Sequence, residues 1–78
     1  MTVQCLTQCI DYRSNTQVYY LPNTSYSRYF TVPNGERFYM NCWLDNAGHR
    51  WFYGQTQHYG WGYVISTWVI NQTRVGRC

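Results

Sequence analysis

The sequence contains no lysine and only three acidic residues, and charged residues make up 12% of its 78 positions. This low charge content argues against a disordered, charged segment. Long hydrophobic runs are also missing, since no apolar run, tyrosine included, exceeds four residues, and membrane insertion is therefore not expected. The first 20 residues have neither a basic start nor an apolar stretch, so no signal peptide is predicted.

The positive charge comes from six arginines, which give a net charge of +3. They are dispersed along the chain, at positions 13, 28, 37, 50, 74 and 77. Because no stripe of cations could follow a phosphate backbone, nucleic acid is not expected as a partner.

Aromatic residues are abundant: nine Tyr, four Trp and three Phe make up 21% of the chain. A chain of this length forms one small domain, which buries roughly 63% of its unfolded surface. Such a small core cannot enclose every ring, so some rings must be exposed. Exposed rings beside polar groups are suitable stacking surfaces for sugars, peptides or bases.

Four cysteines, an even number in a short chain, stand at Cys5, Cys9, Cys42 and Cys78. This pattern is typical of a disulfide framework formed in an oxidising compartment, so we expect a secreted or extracellular protein. Four cysteines allow three pairings. A zinc site would need a second close pair of ligands, but the two histidines are nine residues apart. We therefore predict disulfides, no metal and no cofactor.

Short runs of β-branched and aromatic residues alternate with turn signals and predict about five strands. The runs cover 18–21, 29–32, 37–44, 49–53 and 61–64, with a single helical turn at 65–67 and a closing strand at 68–70. Turns are predicted at Asn34-Gly35 and at 45–48, and a polar loop at 54–60. No segment has helical periodicity, so the fold class is all-β, and closure into a small barrel would remove most open edges.

Within the predicted strands, period-2 alternation assigns side chains to the two faces of the sheet. In the longest strand, Phe38, Met40 and Cys42 should share one face, with Tyr39, Asn41 and Trp43 on the other. The predicted core residues are Phe38, Trp51, Phe52 and Val64.

Four segments appear in the order that is typical of a bacterial SH3-like (SH3b) domain. They are Leu-Pro-Asn-Thr-Ser-Tyr at 21–26, Pro-Asn-Gly at 33–35, Gly-His-Arg-Trp at 48–51 and Gly-Tyr-Val-Ile-Ser-Thr-Trp-Val at 62–69. The chain from 18 to 69 therefore resembles this family. The resemblance implies a small SH3-like barrel of about five strands over 18–78, stapled by disulfides and preceded by an extension at 1–17 that carries a disulfide. Tyr19-Tyr20-Leu21 stands where many members have an Arg-containing step.

The Cys42-Trp43 pair and the terminal Cys78 resemble the secreted actinobacterial branch of the family. This similarity implies a Cys42–Cys78 disulfide, which leaves Cys5 to pair with Cys9. Pairing of Cys5 with Cys78 and of Cys9 with Cys42 is the competing arrangement.

The sequence contains few residues that are suited to catalysis. There are two histidines and three acids, and no Gly-x-Ser-x-Gly or similar nucleophile setting. His49 and His58 are interpreted as solvated polar residues. We therefore predict no catalytic residues and no enzymatic activity.

The resemblance implies a ligand groove between the loop after the first strand, the distal polar loop and the turn before the last strand. These segments carry seven candidate ligand-binding rings: Tyr20, Tyr26, Tyr29, Tyr59, Trp61, Tyr63 and Trp68. Ile65 stands where the eukaryotic proline-binding groove has a proline, which argues against polyproline recognition. The main functional hypothesis is a non-catalytic module that binds cell-wall peptide or glycan.

The alternative is a stand-alone secreted effector directed at a secreted protein target, such as a protease inhibitor or a toxin-like protein, or a small lectin. Retention on insoluble peptidoglycan would distinguish the wall-binding hypothesis from the effector.

Overall fold

The computed structural model describes the backbone of residues 9–10 and the whole of residues 15–25 and 28–78. These ranges are all-β, as predicted. The strands are β1 (Cys9–Ile10), β2 (Thr16–Tyr19), β3 (Tyr29–Val32), β4 (Phe38–Asn46), β5 (His49–Thr56), β6 (Gly60–Ile65) and β7 (Val69–Ile70). The predicted helical turn is present as a 3-10 helix at Ser66–Trp68. Among the described residues no helix is long and apolar enough to cross a bilayer.

Five strands form one antiparallel sheet in the order β3-β2-β6-β5-β4, and β1 pairs with β7 in a separate two-stranded sheet. The predicted closure into a barrel was wrong, because β3 and β4 are the two edges of an open sheet. The outer edge of β4 is occupied instead by the C-terminal residues. The Trp43 amide donates a hydrogen bond to the Gly76 carbonyl (3.0 Å), and the Cys78 amide donates one to the Trp43 carbonyl (2.8 Å).

The hairpin between β4 and β5 has a two-residue turn, which is shorter than the predicted 45–48. Ala47 and Gly48 both have positive φ angles, 52° and 79°. This is the left-handed conformation that joins two strands with the right-handed twist of a sheet. Asn46 therefore pairs with His49, and both strands extend to the turn. The predicted turn at Asn34-Gly35 is confirmed, with Gly35 at φ 83°.

The predicted polar loop at 54–60 is limited to 57–59, because β5 continues through Thr56. Gly54 and Gly62 are paired across β5 and β6. A Cβ atom on Gly62 would lie 2.5 Å from Val18 Cγ1, so glycine allows β2 to pack closely here. The Thr56 hydroxyl closes the turn, donating to the Gly60 carbonyl (2.8 Å) and accepting from the Tyr59 amide (3.0 Å).

A β-bulge in β4 interrupts the predicted alternation of side chains. Met40 is paired with Gly54 and Cys42 with Tyr53, so the register shifts at Asn41. An extra residue in one strand exchanges the two faces beyond it. Trp43 therefore packs against the core, contrary to the prediction that it would lie opposite Phe38 and Met40.

The core lies on one face of the five-stranded sheet. Its buried members are Val18, Val32, Phe38, Phe52, Val64 and Val69. Phe38, Phe52 and Val64 were predicted correctly. Trp51, the fourth predicted core residue, is completely buried but lies on the opposite face.

A disulfide joins Cys42 to Cys78, as the resemblance implied. It fixes the C-terminal tail beside β4 and excludes the competing arrangement, in which these two cysteines had other partners. The predicted Cys5–Cys9 pair lies outside the described side chains and stays a prediction.

Candidate functional site

The face of the sheet opposite the core carries a continuous row of aromatic rings. The strand register pairs Tyr29 with Tyr19, Tyr19 with Tyr63, and Tyr63 with Tyr53. Paired residues of neighbouring strands point to the same side of a sheet. We call this surface the aromatic face, and its members are Tyr19, Tyr29, Tyr39, Trp51, Tyr53, Trp61 and Tyr63.

At one end of the aromatic face, Tyr19 contacts two other rings. Its centroid lies 5.5 Å from that of Tyr29 in a tilted arrangement, and 5.5 Å from that of Trp51 edge to face. His49 approaches the other side of Trp51 edge-on, with centroids 6.0 Å apart. Tilted and edge-to-face contacts are the favoured geometries for ring pairs, so Trp51 is held in a fixed orientation.

At the other end, three rings form a flatter group. Tyr53 and Tyr63 are 4.7 Å apart and tilted, whereas Tyr53 and Trp61 are 5.5 Å apart with planes only 26° from parallel. Two nearly parallel rings on adjacent strands present their faces in a similar direction. This pair forms a platform on which a flat ligand could stack.

The aromatic face contains both buried and exposed rings. Trp51 and Tyr19 are buried, whereas Tyr29, Trp61 and Tyr39 expose 51%, 48% and 45% of their surface. The polar atoms of the Trp51 and Tyr19 side chains are both hydrogen-bonded. Trp51 Nε1 donates to the Asn46 carbonyl (2.9 Å), and the Tyr19 hydroxyl donates to Gln17 Oε1 (2.6 Å). Of the exposed rings, Tyr29 packs on the buried Tyr19, and Trp61 packs on Tyr53.

Electrostatically the aromatic face is nearly neutral. The exposed amides of Gln17 and Gln55 lie on the same side of the sheet, because they are paired with Thr31 and with Tyr39. A cation approaches at one edge, where the Arg37 guanidinium lies 5.7 Å from the Tyr39 ring centre. Burial, and to a lesser degree the neighbouring Tyr29, raises the pKa of the Tyr19 hydroxyl, so this group stays neutral.

Three of the seven predicted ligand-binding rings are brought together on the aromatic face: Tyr29, Trp61 and Tyr63. Trp68 lies in the 3-10 helix at the border of this face, where it lines a small cleft with Tyr19 and Ile65. Polar side chains complete the cleft, namely Asn15, Thr16, Gln17 and Thr31.

The remaining predicted rings lie elsewhere. Tyr20 points away from Tyr19 and contacts Phe30, with ring centroids 5.5 Å apart. Tyr59 is at the tip of the β5–β6 turn, beside His58. Tyr26 lies outside the described residues.

Sequence reasoning missed four members of the aromatic face: Tyr19, Tyr39, Trp51 and Tyr53. A usable signal was present for one of them. Period-2 alternation puts Trp51 and Tyr53 on one side of the strand 49–53, and pairing that strand with 61–64 brings Tyr53 beside Tyr63. The position of Tyr39 depends on the β4 register, which the sequence does not specify by itself.

One of the two histidines, His58, lies beside an acidic side chain. The Glu36 carboxylate is buried, accepts a hydrogen bond from the His58 amide (2.8 Å) and lies 3.0 Å from His58 Nδ1. This contact ties the β3–β4 turn to the β5–β6 turn, so His58 is paired rather than simply solvated as predicted. Among the described residues no group of three His, Cys, Asp or Glu side chains could hold a metal ion.

No protein-family model, curated protein or solved structure matches this chain. The aromatic face and the charges around it are therefore the observations from which function is inferred.

Proposed function

We propose that this protein is a non-catalytic binding module that recognises a cell-wall glycan through the aromatic face. The single observation that carries the proposal is the set of half-exposed rings, Tyr29, Tyr39 and Trp61, on one face of the sheet. Two of them pack on neighbouring rings, Tyr29 on the buried Tyr19 and Trp61 on Tyr53. Exposed contiguous apolar surface on a small soluble domain is typical of an interaction site.

A glycan fits this surface better than a charged peptide. Each face of a pyranose ring presents C–H groups that pack flat on an aromatic ring, and its hydroxyls need neutral donors and acceptors at the rim. The stacked Tyr53 and Trp61 supply the aromatic surface for the C–H groups. The Gln17 and Gln55 amides supply neutral donors and acceptors for the hydroxyls. A wall peptide carries free carboxylates and amines, for which the described part of the aromatic face has only Arg37 at one edge.

The extracellular location is part of the same proposal. The Cys42–Cys78 disulfide is consistent with an oxidising compartment, in which a wall polymer would be accessible. Membership of the SH3b family stays a prediction from the sequence order. The aromatic face supports a glycan as the ligand, and the resemblance to this family points to the cell wall as the source of that glycan.

The proposal is tested by co-sedimentation with insoluble peptidoglycan, using soluble glycan strands and free wall peptide as separate competitors. We expect the protein to sediment and the glycan strands to release it. Trp61→Ala should lose retention. Tyr20→Ala is the matched control, because Tyr20 is 55% exposed but lies away from the aromatic face.

If wall peptide releases the protein and glycan strands do not, the ligand is a peptide and the glycan assignment is wrong. If the wild-type protein does not sediment, the wall-binding proposal is wrong. Equal losses in the Trp61 and Tyr20 variants would contradict the assignment to the aromatic face.

A further inference from the structure

A second cleft opens on the opposite side of the sheet, between the C-terminal tail and strands β4 and β5. Its chemistry differs from that of the aromatic face, because its polar groups are mostly hydrogen-bond donors. The residues that matter here are Trp43, Arg50, Ser66, Gln72, Thr73 and Arg74.

Arg50 is fixed at the β5 side of this cleft. Its guanidinium carbon lies 4.2 Å from the centre of the Trp43 ring. The Arg50 side chain also donates two hydrogen bonds to Asp45, from Nε to Oδ1 (2.8 Å) and from Nη2 to Oδ2 (3.0 Å). Stacking and a two-point ion pair together restrict the side chain, and they leave the Nη1 group for another acceptor.

The wall formed by the tail is fixed as well. The Gln72 amide donates to the Ser66 and Val69 carbonyls, both at 2.9 Å. Further along the tail, the backbone of Arg77 forms an isolated parallel β-bridge with Trp43. The Arg77 guanidinium carbon lies 5.4 Å from the centre of the Trp43 ring. The Cys42–Cys78 disulfide then holds the end of the tail beside β4.

The balance of charge around Trp43 is positive. Three of the six arginines of the chain, Arg50, Arg74 and Arg77, gather here, and Asp45 is the one side-chain carboxylate that the described residues place beside them. The Arg50 hydrogen bonds, with a smaller effect of the Arg77 charge, hold the pKa of Asp45 below its usual value, so this acid is ionised beside the arginines. Within the described part of the chain no carboxylate pairs with Arg74.

We propose that this cleft is a binding site for an oxyanion, such as a carboxylate, sulfate or phosphate group of a small ligand. Arg74 and the free Nη1 group of Arg50 supply charged donors, and the Ser66 and Thr73 hydroxyls supply neutral ones. The Trp43 ring lines the same cleft and can pack against the uncharged part of the ligand. The cleft shares no residue with the aromatic face, so oxyanion binding does not depend on whether the protein binds a glycan.

The test is an NMR titration of isotope-labelled protein at constant ionic strength, with the Trp43 backbone and indole signals as reporters. The probes are inorganic phosphate, sulfate and glucuronate, with glucose as the uncharged control. We expect saturable shifts at Trp43 with at least one oxyanion and none with glucose. Arg74→Gln should weaken binding by about tenfold, the effect of losing one charged hydrogen bond.

Arg28→Gln is the matched control, because it removes the same charge from a residue outside the cleft, and we expect its affinity to equal that of the wild type. Preference for glucuronate would identify an acidic sugar as the source of the anion, and preference for phosphate or sulfate would identify an esterified ligand. Shifts that rise linearly with every salt, or equal affinities in the Arg74 and Arg28 variants, would overturn the proposal. Arg74→Gln should leave retention on peptidoglycan unchanged.

Discussion

Tyr53 and Trp61 stack 5.5 Å apart on neighbouring strands with their planes 26° from parallel, although they are not direct partners in the strand register. Tyr53 is paired with Tyr63, and Trp61 with Gln55, so the stack runs diagonally across the sheet. Long aromatic side chains can reach such diagonal neighbours. This contact packs Trp61 against Tyr53, while about half of the Trp61 surface remains exposed.

Trp51 and Trp61 should differ sharply in their contributions to stability. Trp51→Ala removes a completely buried ring, so we expect the free energy of unfolding to fall by about 3–5 kcal/mol. Trp61→Ala removes a half-exposed ring, and the loss should stay below about 1 kcal/mol. Chemical denaturation of both variants gives the comparison. A loss at Trp61 as large as that at Trp51 would mean that Trp61 supports the fold rather than a ligand.

Glycine at position 62 should be required by the close approach of β2. In Gly62→Ala the new methyl group would lie 2.5 Å from Val18 Cγ1 and 2.8 Å from the Tyr19 carbonyl oxygen. We expect a loss of about 1–3 kcal/mol in the free energy of unfolding, as for other overpacked sites. Gly76→Ala is the control, because nothing lies within 4 Å of its added carbon. Equal melting temperatures of the two variants would contradict the described packing of β2 on β6.

Removing the Cys42–Cys78 disulfide should destabilise the protein considerably. The two cysteines are 36 residues apart, and closing a loop of that length is worth about 4 kcal/mol on the chain-entropy model. The variant Cys42→Ser/Cys78→Ser should lose this amount in chemical denaturation. Labelling of Cys42 or Cys78 by a thiol reagent in the denatured, unreduced wild type would show that the bond is not formed.

Stability should fall at high pH because of Tyr19. Burial and the nearby Tyr29 raise the folded-state pKa of Tyr19 above the ordinary value of about 10. The stability that neutral Tyr19 contributes is fully present below the pKa of this tyrosine in the unfolded chain. It is lost as the pH rises through the higher pKa of the folded state, because Tyr19 releases its proton at a lower pH in the unfolded chain. Thermal melts across this range should show a decline that is smaller in Tyr19→Phe. An identical decline in both proteins would contradict a raised pKa at Tyr19.

Local signals in the sequence predicted the elements of this fold well. The Asn34-Gly35 turn, the hairpin around Gly48 and the buried Phe38 and Phe52 follow from residue type and alternation. These features depend on neighbours along the chain, so a single sequence carries them.

Contacts between distant segments were predicted less well. The bulge at Asn41 exchanges the faces of β4, and no local signal marks it. The open sheet results from the C-terminal tail, which occupies the edge of β4 that a barrel would have to close. Tyr53 joined the candidate site only because the β5–β6 register places it beside Tyr63. Register depends on the balance of many weak cross-strand contacts, which residue type alone does not determine.

The most direct test of glycan binding is an NMR map of the aromatic ring signals during addition of soluble peptidoglycan glycan strands. Saturable shifts should be concentrated on Tyr29, Tyr53 and Trp61, with the Tyr20 ring unaffected. The absence of saturable shifts, or shifts confined to Tyr20 or Trp43, would contradict the assignment of the aromatic face as the glycan-binding site.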